Sequence, residues 1–203
     1  MNFVKKIGKG KFTPLLNPKT DEYYQLKKLI LGKTFNWQYR PASTYGDMGL
    51  FEKQTYKNVP FYSHCFLARP WDKRFAPSEE YENETRYPRV IDSDLMPLVS
   101  TVIEQIFQHN VLEIVTLLRV NANQVEPQRE MAQTFPHVDH QFDHRNMLIY
   151  FTDAGGETIL YDDDKQPHIH DPKEDDIVAF GGSTHHHVTP KDDRRVVLVL
   201  TYI

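Results

Sequence analysis

Two short stretches of the chain gather residue types that bind metals. The first is TFPHVDHQFDH, which contains His137-Val138-Asp139, and the second is GGSTHHHVTP, which sets His185, His186 and His187 side by side. On a strand, side chains two apart share a face. His137 and Asp139 therefore aim one imidazole and one carboxylate at a common point. A divalent metal held there needs a third ligand from elsewhere. Two histidines and a carboxylate on one face of an octahedron leave three positions open, an arrangement that serves non-haem Fe(II) oxygen chemistry. An H-x-D triple is weak alone, since short polar triples arise by chance and sit equally well in surface turns. In THHHVTP, alternation groups His186 with Val188, and His185 with His187 and Thr189. Val188 is the apolar member, so its face is expected to be the inner one. That selects His186 as the third ligand and turns His185 and His187 outward.

Such ligands need a scaffold of strands, and the second half of the chain supplies one. Residues 114–123, 146–151, 157–161, 177–180 and 195–202 are β-branched or aromatic runs. Turn signals separate them at Asp153-Ala154-Gly155-Gly156, Asp162 to Lys165 and Gly181-Gly182-Ser183. Many short strands with no helical pattern between them predict an antiparallel barrel or double-sheet jelly roll rather than βαβ units. Before Asn110 the texture differs. Glu22 to Leu31 reads as a short amphipathic helix, and Asp92 to His109 as a longer one capped by Ser93 or Asp94. Between them, Phe35 to Arg89 reads as long loops with short strands.

The 203 residues suffice for one domain with a substantial core, and 39% hydrophobic with 26% charged residues is a soluble globular composition. A net charge of −4 argues against a nucleic-acid partner. Cys65 is the single cysteine, which excludes an internal disulfide and fits a reducing compartment. The start, MNFVKKIGKGKF, lacks the apolar segment of a signal peptide, and no run is long enough for a membrane span. A soluble, cytoplasmic protein without nucleic-acid or membrane partners is the expectation.

Taken in order, the motifs resemble a known superfamily. They are H-x-D at 137–139, Tyr150 before the turn, GGET at 155–158, H-x-V-x-P from His186 to Pro190, and Arg195 nine residues after His186. The pattern is similar to that of the Fe(II)/2-oxoglutarate-dependent oxygenases, in particular the prolyl-4-hydroxylase-like group with its small phage- and bacterium-type relatives. It covers roughly residues 115–203, with LLRVNANQ at 117–124 similar to the family's first core strand; residues 1–110 match loosely. The resemblance implies a mainly β fold with supporting helices. Its double-stranded β-helix core (jelly-roll, cupin-like) would span 111–203, and a helical and loop support 1–110, as a single domain over 1–203.

It also implies a chemistry. Fe(II) would be held by His137, Asp139 and His186. The C5 carboxylate of 2-oxoglutarate would sit on Arg195, whose guanidinium offers a planar, permanently charged fork, with Tyr150 at the same carboxylate. A core tyrosine with a satisfied hydroxyl is the other reading of Tyr150. The reaction would be O2-dependent hydroxylation of a C–H bond with release of succinate and CO2. A prolyl residue of a peptide or protein leads as substrate, with a lysyl residue or a free amino acid behind it, and ascorbate is admitted as an accessory. The main rival is a metal-dependent cupin-like binder or isomerase that does not use 2-oxoglutarate. A nucleic-acid demethylase of the AlkB type would carry a second arginine where this chain has Thr201.

Other features read more plainly. Arg194 is expected on the outer face, and His168 and His170 on a polar edge strand. Arg119, Asn121 and Asn123 alternate and make one face of their strand polar, as a cavity lining or a half-exposed strand would. Thr158 is a weak candidate, and Gly155-Gly156 is read as serving the turn. The stretch 69–90 is either a lid or a surface excursion.

Overall fold

The structure, a computed structural model, describes residues 5–42, 56–69 and 90–203. Apart from its two end residues, the 69–90 stretch lies outside them. The elements run β1 (Thr13–Leu15), α1 (Asp21–Leu31), β2 (Gln38–Arg40), β3 (Phe61–Ala68), β4 (Val90–Ile91), α2 (Met96–His109), β5 (Leu117–Val125), β6 (Arg145–Tyr150), β7 (Thr158–Tyr161), β8 (Pro167–His170), β9 (Ile177–Gly181), β10 (His185–His187) and β11 (Arg195–Tyr202). Two antiparallel sheets result. The large one has the order β1-β9-β6-β11-β5-β3-β2, with β4 added at β3, and the small one is β10-β7-β8. Among the described residues no helix is long and apolar enough to cross a membrane.

The centre of the large sheet is buried on both faces, which explains the unbroken apolar run of β11. Val196, Leu198, Leu200 and Tyr202 point to the helices. There they join Tyr23, Leu26 and Ile30 of α1 and Val99, Ile103 and Ile106 of α2 in the main core. Val197 and Val199 point the other way. With Leu148, Tyr150, Val178, Phe180 and the small-sheet residue Leu160 they form a second cluster between the sheets. This inter-sheet face positions the site.

The helices follow from their sequences with one difference. Thr20 caps α1 by accepting from the Tyr23 amide, and the buried residues Tyr23, Leu26 and Ile30 recur at helical spacing. α2 starts at Met96 rather than at Asp92, with no side-chain cap and a proline, Pro97, in its first turn. The Ser93 hydroxyl instead accepts from the Leu95 amide at 3.3 Å, in the turn before the helix. The N-terminal half also contributes more strand than expected. β3 pairs with β5 along most of its length and extends the large sheet. Its polar centre, Ser63-His64-Cys65, hides the alternation that would have marked it.

Candidate metal centre

His137 and His185 lie on backbones that bond each other reciprocally, His137 N to His185 O at 3.0 Å and His185 N to His137 O at 2.9 Å. Each ring is oriented by its own neighbourhood. His137 Nδ1 donates to Phe135 O at 3.2 Å, and His185 Nδ1 donates to Ser183 O at 2.9 Å. A carbonyl only accepts, so both Nδ1 atoms carry a proton, and Nε2 is the atom each ring turns to a ligand. This is how ligating histidines are held in place. Asp139 completes the cluster. One donor atom from each of His137, Asp139 and His185 lies within 4.8 Å of the others, and among the described residues no other three His, Cys, Asp or Glu groups meet this way. Asp139 Oδ2 is buried with no hydrogen-bond partner, and His185 Nε2 is 3.5 Å from it.

The histidine that the structure brings to His137 and Asp139 is His185, not the expected His186. The register decides the matter. β10 pairs with β7 so that His185 faces Leu160, His186 faces Ile159 and His187 faces Thr158. Leu160 belongs to the inter-sheet cluster, so His185 and His187 turn inward with it. His186 turns outward, where its ring lies parallel to Tyr161 (5.7 Å, 7°) and edge-on to Tyr56 (5.4 Å). Its Nε2 meets the Tyr161 hydroxyl at 3.1 Å. Val188 misled because the outer face of this sheet is covered. Tyr56 bridges to Gln133, and Gln133 bridges to Val188. An apolar residue there is buried without being inside, while the true inner face is polar because it lines the site.

The electrostatics suit a cation. Burial lifts the Asp139 carboxyl, but the charge of Arg119, with the neighbouring His185, His137 and Arg69, outweighs it and holds Asp139 well below the usual range. Arg119 reaches Asp139 Oδ1 at 2.8 Å, and Arg69 approaches the same oxygen at 3.7 Å. Burial, assisted by His185, pushes His137 down to about 3, so it stays neutral with its lone pair available. Burial first, and then His185, lowers His186 to about 4.

Deeper between the sheets lies a second polar group. Arg195 is 4% exposed. Its Nε donates to Gly156 O at 3.0 Å, and one terminal nitrogen donates to Thr158 Oγ1 at 3.0 Å. The Tyr150 hydroxyl shares Thr158 Oγ1 at 2.8 Å, and the guanidinium lies 5.2 Å from the Tyr150 ring centroid. Among the described residues no carboxylate pairs with Arg195. A buried guanidinium without a counter-charge is costly, so the side chain suits an anion. Gly156 makes room for it: at φ +76° its backbone is left-handed, and a Cβ there would come within 2.9 Å of Arg195 Cδ and 2.8 Å of Val188 O. Arg194 turns away as expected, donating to Gln124 Oε1 at 3.2 Å and Leu31 O at 2.8 Å.

The polar face of β5 is also where expected. Arg119, Asn121 and Asn123 stand opposite Thr201, Val199 and Val197 of β11, on the inter-sheet side. Sequence reasoning missed two things besides His185: that Arg119 serves Asp139, and that Arg69 does so too. The spacing of Arg119 with Asn121 and Asn123 was the only signal available. His168 and His170 lie on β8, an edge strand of the small sheet, and His168 Nε2 meets Asp162 Oδ2 at 2.9 Å.

No protein-family model matches the sequence, and no curated protein does. Solved structures do match the fold. A Burkholderia pseudomallei oxidoreductase of the 2OG-Fe(II) oxygenase family matches with TM-score 0.55 at 14% identity, over 81% of this chain and 72% of that one. A prolyl hydroxylase from Trichoplax adhaerens, in complex with a hypoxia inducible factor peptide fragment, matches with TM-score 0.51 at 16% identity, over 95% and 83%. The non-haem α-ketoglutarate-dependent epimerase of nogalamycin biosynthesis matches with TM-score 0.56 at 11% identity, over 96% and 78%. The fold is thus mainly β, a double-stranded β-helix core with supporting helices, and it is the fold that these structures share.

Proposed function

We propose that this protein is an Fe(II)- and 2-oxoglutarate-dependent dioxygenase that hydroxylates an unactivated C–H bond, with a prolyl residue of a peptide or protein as the leading substrate. One observation carries the reading. A His/Asp/His cluster shares the inter-sheet space with a buried arginine that meets no carboxylate among the described residues. A cupin-like binder would need the first feature and has no use for the second.

His137, Asp139 and His185 would hold the metal, and Arg195 the distal carboxylate of the co-substrate. Thr158 and Tyr150 fix the guanidinium in place, and the apolar cluster of Leu148, Val178, Phe180 and Val197 keeps water from it. When bound, iron and 2-oxoglutarate supply the oxygen chemistry: O2 is consumed, one oxygen enters the C–H bond, and succinate and CO2 leave. The fold's likeness to a prolyl hydroxylase seen with a peptide supports the peptidyl substrate.

Turnover of 2-oxoglutarate to succinate with Fe(II), with and without proline peptides and with and without ascorbate, tests this. Peptide-stimulated succinate and a hydroxylated proline are expected. No succinate from the iron-loaded protein under any condition would overturn the oxygenase reading, and succinate without proline hydroxylation would overturn the substrate.

A further inference from the structure

Arg69 and Arg119 converge on a single oxygen, Asp139 Oδ1. Arg69 also donates to the Asp139 carbonyl at 3.0 Å. Among the described residues Asp139 is the only carboxylate that either arginine meets, so two guanidiniums share one negative charge. In the reading above, that charge is shared once more, with a divalent metal. Two further polar atoms on the same face are unspent. Arg119 Nε and Asn121 Oδ1 are both buried without a hydrogen-bond partner. Asn121, Ser63 and Asn123 continue the polar surface, with Ser63 Oγ donating to Asn123 Oδ1 at 2.9 Å. The Arg69 side chain is 32% exposed and that of Arg119 14%, so the pair is reachable from outside. Arg195 is a separate cation on the β7 side of the cavity, with its own partners.

We infer that Arg69 and Arg119 form a carboxylate-docking pair for the substrate, which therefore bears an anionic carboxylate close to the carbon that is oxidised. The carboxylate is either the main-chain group of an amino acid or an acidic side chain beside the target residue of a peptide. The inference rests on the proposed function in taking this cavity for the catalytic one. Two guanidiniums around one anion give charge-assisted, directional hydrogen bonds, and a neutral amide of the same shape would lose them.

Ligand-observed NMR on the full chain, metal-free and loaded with redox-inert Zn(II), tests it with two matched pairs of probes. N-acetyl-L-proline against its primary amide represents the main-chain source. A blocked Glu-Pro dipeptide against its Gln-Pro counterpart represents the side-chain source. In at least one pair the carboxylate member should bind roughly tenfold or more tightly than the amide. Saturating 2-oxoglutarate on the zinc form should leave that preference intact, and Arg69→Gln should erase it. If Arg69→Gln lowers the thermal midpoint, Arg69→Lys is read instead and should retain a reduced preference. Equal binding within both pairs, no binding by any probe, displacement by 2-oxoglutarate, or a full preference in Arg69→Gln would each overturn the inference. Carboxylate binding in a protein that never makes succinate would sink the proposed function and leave the docking pair standing.

Discussion

At the scale of single residues the structure separates three adjacent histidines that differ only in position. His185 projects between the sheets toward Asp139, His186 stacks outside on Tyr161, and His187 faces Thr158. Metal content of the three alanine variants should follow that geometry. His185→Ala should lose the iron, while His186→Ala and His187→Ala should keep it; iron retained in His185→Ala and lost in His186→Ala would reverse the assignment. The neighbouring arginines give a second contrast. Truncating a buried, charged contact costs about 2–5 kcal/mol, so Arg195→Ala should raise the 2-oxoglutarate KM roughly thirty-fold to several-thousand-fold and spare metal binding. Arg195→Lys should fall between, since it keeps the charge without the fork. Arg194 spends its guanidinium on Gln124 and Leu31, and Arg194→Ala should move that KM little. An equal loss in both alanine variants would indicate general destabilisation instead.

At the scale of elements, α1 is tied to the turn before β9 by Asp175. Tyr23 donates to its carboxylate at 2.6 Å, and Lys27 reaches it at 2.5 Å. Burial alone would raise this carboxyl, but the bonds from Lys27, Tyr23 and Lys19 prevail and leave it below its ordinary value. A depressed carboxyl stabilises the fold above its unfolded value and ceases to do so as pH falls through its folded one. Asp175→Asn keeps a residue that tolerates the left-handed backbone there (φ 69°) and removes only the charge. It should cost about 1–3 kcal/mol at pH 7. In denaturant titrations the difference should begin to shrink below the ordinary aspartate value of about 3.9 and vanish at lower pH. A difference that does not change with pH would refute the charge account.

At the scale of the whole molecule, the cluster joins segments far apart in the chain, His137 and Asp139 before β6 and His185 on β10, so anything bound there ties them together. Ligands that bind the folded state alone stabilise it by mass action, about 2.7 kcal/mol at a hundred times Kd. For a chain of this size that is about 5–10 °C in Tm. Zn(II) or Mn(II) should raise the thermal midpoint by such an amount, chelator should reverse it, and His185→Ala should show no rise. A rise in the absence of His185 would place the metal elsewhere.

Much of this was legible in the sequence because it is local. The alternation of HVD, the β-branched runs from 114 to 202, and the opposite facing of Arg194 and Arg195 all follow from a period of two. What alternation cannot say is which of the two faces is the inside. For His185 and His186 that depended on β7, which puts Leu160 opposite one and Ile159 opposite the other, and on Tyr56 covering the outer face. The arginines around Asp139 arrive from β5 and from just beyond β3, the latter 70 residues away along the chain. β3 itself was obscured because its polar centre, Ser63-His64-Cys65, breaks the apolar alternation. Residue types and spacing brought an imidazole, a carboxylate and an inward-facing guanidinium into this half of the chain. Sheet pairing alone decided which histidine faces Asp139, because the direction a strand faces is set by its neighbours rather than by its own residues.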